Sequence, residues 1–157
     1  MKRTLLSALA GLLVAGAAAN ALADDMEKAI EARQGLMELY AFNIGRLAAM
    51  AKGEMPYDAG QASAAAGNLL AAATMKNGAL WPKGSDLGAP GLAGKTRAKP
   101  EIWSTYPKVA ERGKALAEAA AVMAAEAGNG LDAVRANLGN VGKACKGCHD
   151  DFRAPKK

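Results

Sequence analysis

The chain has 157 residues, a formal net charge of +5, two cysteines and one histidine. This length suits one domain built around one core. A nucleic-acid-binding protein usually carries a stronger positive excess that is gathered into a stripe, whereas the lysines and arginines here are scattered along the chain. Alanine dominates, and no segment alternates apolar and polar residues as a half-buried strand does, so the composition predicts an all-α protein that does not bind nucleic acid.

The first residues have the pattern of an export signal. Two basic residues precede an apolar stretch over residues 5–19, and residues 21–23 (Ala-Leu-Ala) form a small-x-small cleavage pattern. The apolar stretch is short against the ~20 residues that a membrane-spanning helix needs. We therefore expect a cleaved signal peptide over 1–23, a mature periplasmic domain over 24–157, and no stable membrane insertion after cleavage. A retained anchor helix is the alternative.

Four helical segments follow, separated by glycine and proline. The first ends at Gly53, shortly before Pro56, and Asp58 is placed to cap the second. Pro100 suits the first turn of the third. The stretch between the second and third segments is rich in glycine and proline, which predicts a long loop. The predicted helices run over about 26–52, 58–77, 100–127 and 131–153, and the loop over 78–100.

Apolar residues recur at alternating spacings of three and four, which is typical of the inner seam of a helical bundle. Short connections after the first and third helices require antiparallel neighbours. The sequence therefore predicts an antiparallel up-down-up-down four-helix bundle. In the first helix the predicted seam consists of Met26, Ile30, Arg33, Met37, Tyr40, Ile44 and Leu47.

The fourth helix carries a C-x-x-C-H motif at Cys145, Cys148 and His149. Two thiols three positions apart lie on one side of a helical turn, where they can bind the two vinyl groups of one haem as thioethers. The adjacent imidazole can then reach the iron. The motif therefore predicts one covalently attached haem c with His149 as an axial ligand.

Three other readings of the motif are weaker. A redox-active disulfide normally accompanies a βαβ pattern, which is missing from this sequence. A zinc site needs a fourth ligand, and the chain has no further cysteine or histidine to supply it. A structural disulfide across one helical turn would stabilise little.

A second axial ligand cannot be histidine, so methionine is the natural candidate. In an antiparallel bundle the early part of the first helix lies level with the motif. Met37 occupies the predicted seam at that level, whereas Met50 lies ~20 Å further along the helix, at ~1.5 Å per residue. We therefore expect Met37 to be the distal ligand; its alternative role is that of a packing methionine in the core.

Arg33 lies on the predicted seam one turn before Met37. A buried guanidinium needs an anionic partner, and a haem propionate would be one. Alternatively, the side chain reaches outwards to solvent from the end of the bundle. The neighbouring Gln34 either reaches a propionate too or faces water.

Together these features resemble the class II cytochromes c, the cytochrome c′ family. The resemblance covers nearly the whole mature chain. It implies that Arg33 and Gln34 lie near the propionates, that Met37 faces the distal side of the iron, and that Arg153 packs beside the proximal histidine. It rests on residues 32–37, on residues 52–58, on Lys99-Pro100-Glu101-Ile102-Trp103, and on residues 145–153.

The family divides at the position of Met37. High-spin members leave the sixth site of the iron empty and bind nitric oxide or carbon monoxide, whereas low-spin members use a methionine there and resemble electron carriers. We favour the low-spin branch: electron transfer through a haem iron bound by His149 and Met37, with unidentified redox proteins as partners. A five-coordinate gas-binding protein is the alternative.

Two further functions fit less well. A haem enzyme such as a peroxidase would need a distal histidine, which the sequence does not offer, so we expect no enzyme. A structural bundle without haem leaves the motif unexplained. Many members of the family form homodimers through their first two helices, so a homodimer and a monomer are both open for this chain.

Overall fold

The structure is a computed structural model that describes residues 4–156, with side chains described from residue 23 onward. Part of the expected signal peptide, residues 1–3, lies outside the described residues, and of residues 4–22 only the helical backbone is described. The five α-helices are α1 (Thr4–Lys52), α2 (Ala59–Thr74), α3 (Glu101–Ser104), α4 (Lys108–Glu126) and α5 (Leu131–Phe152).

The four long helices form the predicted bundle. Helix α1 packs against α2 and α5, and α4 also packs against α2 and α5, so the four helices close a ring around one core. In the described part of the chain there is no strand, only one isolated antiparallel bridge between Ala98 and Arg153. The core is made mainly of alanine and medium-sized apolar side chains, including Leu47, Met50, Leu69, Met123, Val134 and Val141.

The helices differ from the prediction at three places. Helix α2 ends at Thr74 and not at about 77, since the backbone turns extended at Met75. Helix α1 extends back to Thr4 because the alanine- and leucine-rich stretch before residue 26 consists of strong helix formers with no stop signal. The predicted third helix is divided into α3 and α4 by residues 105–107. Pro107 lies in that break, and proline cannot donate the backbone hydrogen bond that a helix interior requires. Within the described residues, no helix combines the length and apolar character needed to cross a bilayer.

The buried face of α1 differs from the predicted seam at two positions. Ile30, Arg33, Tyr40 and Leu47 are buried as expected. At two places, however, the preceding residue is the buried one, and these pairs are Leu36 with Met37 and Asn43 with Ile44. From Arg33 to Met50 the buried positions still alternate in spacing between three and four, so the seam keeps its 3.5-residue repeat and differs from the prediction only by one residue at these two places.

The segment 78–100 is a loop, as predicted, apart from a short 3₁₀ turn at Gly78–Leu80. Gly84, Gly91 and Gly94 adopt positive φ angles of 87°, 77° and 78°, which side-chain-bearing residues rarely adopt. The loop is packed onto the bundle, because Ser85 and Leu92 are buried.

Candidate haem site

The last turns of α5 carry the C-x-x-C-H motif. Cys145 and Cys148 are both free thiols and partly buried, and burial raises the pKa of each. Burial, followed by the nearby Arg153 and Arg97, lowers the pKa of His149. The imidazole is therefore held in its neutral form, which has a nitrogen lone pair free to bind a metal.

His149 opens onto a cleft of about 510 Å³ at the end of α5. Arg153 lines the same cleft, so the structure brings together the two residues that the resemblance places on the proximal side of the haem. Three further basic residues line the cleft: Arg97, Lys99 and Lys156. The cleft therefore has a strongly positive character, and the chain segment just before α3 contributes to it.

Tyr40 shows which part of α1 lies level with the motif. Its pKa is raised by burial and then by the thiols of Cys145 and Cys148. Its hydroxyl donates to the carbonyl of Ala72 at 3.0 Å, which ties α1 to the end of α2. The sequence marked Tyr40 only as a seam residue; its position beside the thiols follows from the antiparallel register of α1 and α5.

Met37 lies three residues before Tyr40, at the expected level of the bundle. Its side chain is 37% exposed and lies outside the buried core. A methionine with three rotatable bonds is held in place only by its packing.

Arg33 is buried, with only 3% of its surface exposed, so the alternative in which its side chain reaches out to solvent is wrong. Its Nη1 donates to Ser85 Oγ at 2.7 Å, and its Nη2 donates to the carbonyl of Ser85 and to Thr96 Oγ1. The guanidinium also lies 4.9 Å from the centre of the Trp81 ring. Burial lowers the pKa of Arg33, and the nearby Asp86 opposes that shift. The loop thus supplies partners that the sequence did not reveal, while a contact with a propionate stays a prediction.

Gln34, the other expected propionate neighbour, is exposed and contacts the same loop. Its side-chain amide donates to the carbonyl of Lys95 at 2.7 Å. Lys95 in turn forms an ion pair with Glu27 on α1. Arg33 and Gln34 therefore both hold the loop against α1.

Close to the motif, three residues form contacts that the sequence does not predict. Asp151, two residues after His149, accepts hydrogen bonds from Lys108 at 3.0 Å and from Arg112 at 2.9 Å. These two hydrogen bonds lower the pKa of Asp151, so its carboxylate is ionised and links the start of α4 to the end of α5. Pairs between distant helices leave no periodic signal in a sequence, so only the fold reveals them.

The residues present fit a covalently bound haem. Two free thiols stand one helical turn apart, and a neutral imidazole follows the second. Within the described residues, no group of three or more histidine, cysteine, aspartate or glutamate side chains converges to hold a metal ion. The donor set suits two thioether bonds to one planar group with one axial nitrogen.

Comparisons with known proteins agree with this assignment. The family model described as Cytochrome C′ matches residues 28–153. The chain is 41% identical to a cytochrome c′ of Cereibacter sphaeroides over 99% of this chain and 100% of that one. It is also 43% identical to a cytochrome c-554 of the same organism over 85% of this chain and 87% of the relative.

Solved structures share the fold. Cytochrome c′ from Thermochromatium tepidum is 37% identical, with a TM-score of 0.74 over 83% of this chain and 97% of that one. A mutant cytochrome c prime from Alcaligenes xylosoxidans, solved as its nitric oxide complex, is 32% identical, with a TM-score of 0.71 over 83% and 97% of the two chains.

These comparisons correct the expected function. The expected function, electron transfer through a haem iron bound by both His149 and Met37, is wrong for this chain. Its relatives include a cytochrome c′ that the chain matches over that protein's full length, and another relative is solved with nitric oxide bound. The assignment to the low-spin branch is corrected for the same reason. The chain belongs to the cytochrome c′ family and, like the family, carries one covalently attached haem c.

Proposed function

We propose that this protein binds nitric oxide or carbon monoxide at a five-coordinate haem iron and that it is not an enzyme. Cys145 and Cys148 hold the haem as thioethers, and His149 is its one protein axial ligand. The bound haem supplies the iron at which the diatomic ligand binds. The observation that carries the proposal is the relative, 32% identical, that is solved as a nitric oxide complex.

The chain's own residues suit this task. The neutral imidazole of His149 is ready to bind iron, because burial and the neighbouring arginines oppose its protonation. On the α1 side, Tyr40 lies near both thiols of the motif, as their effect on its pKa shows. A neutral diatomic ligand needs no charged partner. Since His149 is the sole histidine of the chain, a distal base for peroxide chemistry is missing from the sequence.

Absorption spectroscopy of the purified haem-loaded protein tests the proposal. We expect a high-spin ferrous spectrum that carbon monoxide changes. A low-spin ferrous spectrum that carbon monoxide leaves unchanged would contradict it. The variant Met37→Ala is the matched control, and it should keep the high-spin spectrum of the wild type. A low-spin wild type that becomes high-spin in Met37→Ala would identify Met37 as a ligand.

We also propose that the mature chain acts in the periplasm as a homodimer. The basic, apolar and small-residue pattern of the first 23 residues supports export. On α1, Leu39 and Phe42 are large apolar side chains left exposed, and 62% of the Phe42 surface is accessible. A cytochrome c′ at 35% identity is described with a ligand-controlled dimer dissociation.

Sedimentation of the wild type and of Phe42→Glu tests the dimer. We expect the wild type to sediment as a dimer and the variant as a monomer, because a buried unpaired charge opposes association. A monomeric wild type at micromolar concentration would contradict this part of the proposal and leave gas binding unaffected.

A further inference from the structure

The loop 78–100 is held in place by two different parts of the chain. On one side lies Arg33 of α1, which donates to Ser85 and Thr96. The three acceptor atoms are the hydroxyl and carbonyl oxygens of Ser85 and the hydroxyl oxygen of Thr96, and none of them is charged. The guanidinium stays buried and keeps these hydrogen bonds only while the loop is packed on α1, so Arg33 and the loop hold each other in place.

On the other side, the end of the same loop pairs with the segment after α5. Ala98 and Arg153 form an antiparallel bridge. On either side of the bridge, the Lys99 amide donates to the Phe152 carbonyl at 3.0 Å, and the Ala154 amide donates to a loop carbonyl at 2.9 Å. The loop is therefore attached directly to the backbone that follows His149.

Thr96 joins these two sets of contacts. Its Oγ1 accepts from Arg33 Nη2 at 2.7 Å and from the Ala98 amide at 3.1 Å. Thr96 is itself buried. Beyond the bridge, the Arg153 amide donates to the carbonyl of His149 at 3.0 Å, as the capping bond of α5. Hydrogen bonds joined by short backbone links thus connect the α1 guanidinium, through Thr96 and the paired segments, to the backbone of His149.

We propose that Arg33 is a positioning residue for His149, acting through Thr96 and the Ala98–Arg153 bridge. The inference rests on the proposed role of His149 as the axial ligand. In this arrangement the loop fixes the end of α5, and with it the imidazole and the positive cleft that the imidazole shares with Arg153. The potential of a haem depends on its axial ligand, on hydrogen bonds around that ligand and on exclusion of solvent, so loosening this series should change the potential.

The variant Thr96→Val interrupts the series at its centre, because valine has the same shape but no hydroxyl. The matched variant Thr96→Ser keeps the hydroxyl. In the haem-loaded protein, we expect Thr96→Val to speed amide exchange at Ala98 and Ala154 by about tenfold, the effect of losing one hydrogen bond to a charged group. We also expect a lower midpoint potential, since water reaching the proximal side favours the ferric state. Thr96→Ser should return both values to those of the wild type.

Two further variants make the result decisive. Arg33→Met removes the start of the series and should lower the potential in the same direction. Arg135 is an arginine of α5 far from the motif, whose Nε donates to the Ala51 carbonyl at 2.9 Å. Arg135→Met should reduce thermal stability and leave the potential unchanged.

If the amides of Thr96→Val exchange faster but the protein keeps the wild-type potential, Arg33 only holds the loop and the positioning role is refuted. Unchanged amide exchange in Thr96→Val refutes it as well. The potential is measurable whether or not carbon monoxide binds, so failure of the proposed function is seen separately.

Discussion

Arg112 of α4 lies directly against Gly147, the residue before the second cysteine of the motif. A Cβ atom at Gly147 would stand 3.2 Å from Nη1 of Arg112. The same guanidinium donates from Nε to Asp151 at 2.9 Å. The end of α5 that carries the motif therefore packs closely against Arg112 of α4 at Gly147 and forms an ion pair with the same arginine at Asp151.

Gly147→Ala should leave haem attachment intact and stabilise the protein slightly. Replacing glycine by alanine inside a helix contributes about 1 kcal/mol, and the atom in the way is the end of a flexible, partly exposed arginine that can move by a few tenths of an ångström. Gly139→Ala is the control, because a Cβ there meets nothing within 4 Å. Thermal denaturation of both variants is the measurement. A loss of stability at Gly147 alone would show that Arg112 cannot yield.

Asp151→Asn should lower the melting temperature. It leaves Lys108 and Arg112 without the carboxylate that both contact, and so weakens the junction of α4 and α5. As a control, Glu118→Gln removes an exposed ion pair with Lys114 at 3.6 Å, and such pairs contribute little. Equal melting temperatures for the two variants would contradict a structural role for Asp151.

Met50 and Met37 should differ sharply when each is replaced by alanine. Met50 is fully buried in the core, with 0% exposed surface. Removing it should lower the free energy of unfolding by about 2–5 kcal/mol, the usual cost of emptying a buried site. Met37 is 37% exposed, so its removal should change that free energy much less. Urea denaturation of the haem-loaded variants measures both, and a larger loss for Met37 would place it in a packed or ligating role.

Tyr57→Phe should lower the free energy of unfolding by roughly 1–2 kcal/mol, because the turn between α4 and α5 loses two hydrogen bonds. The Tyr57 hydroxyl donates to the Ala127 carbonyl at 2.9 Å and accepts from the Gly130 amide at 3.0 Å. Tyr106→Phe is the control, since 66% of that side chain is exposed. Urea denaturation compares them, and the absorption spectrum should stay the same in both. A changed spectrum in Tyr57→Phe would show that this turn influences the haem.

The bundle and the motif could be predicted because each leaves a local signal. Gly53 and Asp58 mark a helix end and a helix start, and the Asp58 carboxylate does accept from the Gln61 amide at 2.7 Å, as a cap should. The predicted helix over 100–127 started at Pro100, which suits a first turn, and ran through Pro107. Pro107 is itself a local break signal, because a proline inside a helix removes a backbone donor.

The site was harder to predict where it depends on contacts between distant segments. Arg33 was recognised as unusual because a charge stood on an apolar seam, but its partners Ser85 and Thr96 lie in a loop without periodicity. The function was misjudged at Met37, because a methionine at the right level of the bundle says nothing about whether its surroundings hold it against a metal.

The contacts of the loop 78–100 also determine when it forms. Arg33 is 52 residues from Ser85 and 63 from Thr96, and Lys99 is 52 residues from its acceptor at Asp151. Contacts between residues so far apart in the chain carry a closure entropy that helical hairpins avoid, so they form late. The loop should therefore be the last segment to settle during refolding, after the four helices around it have formed.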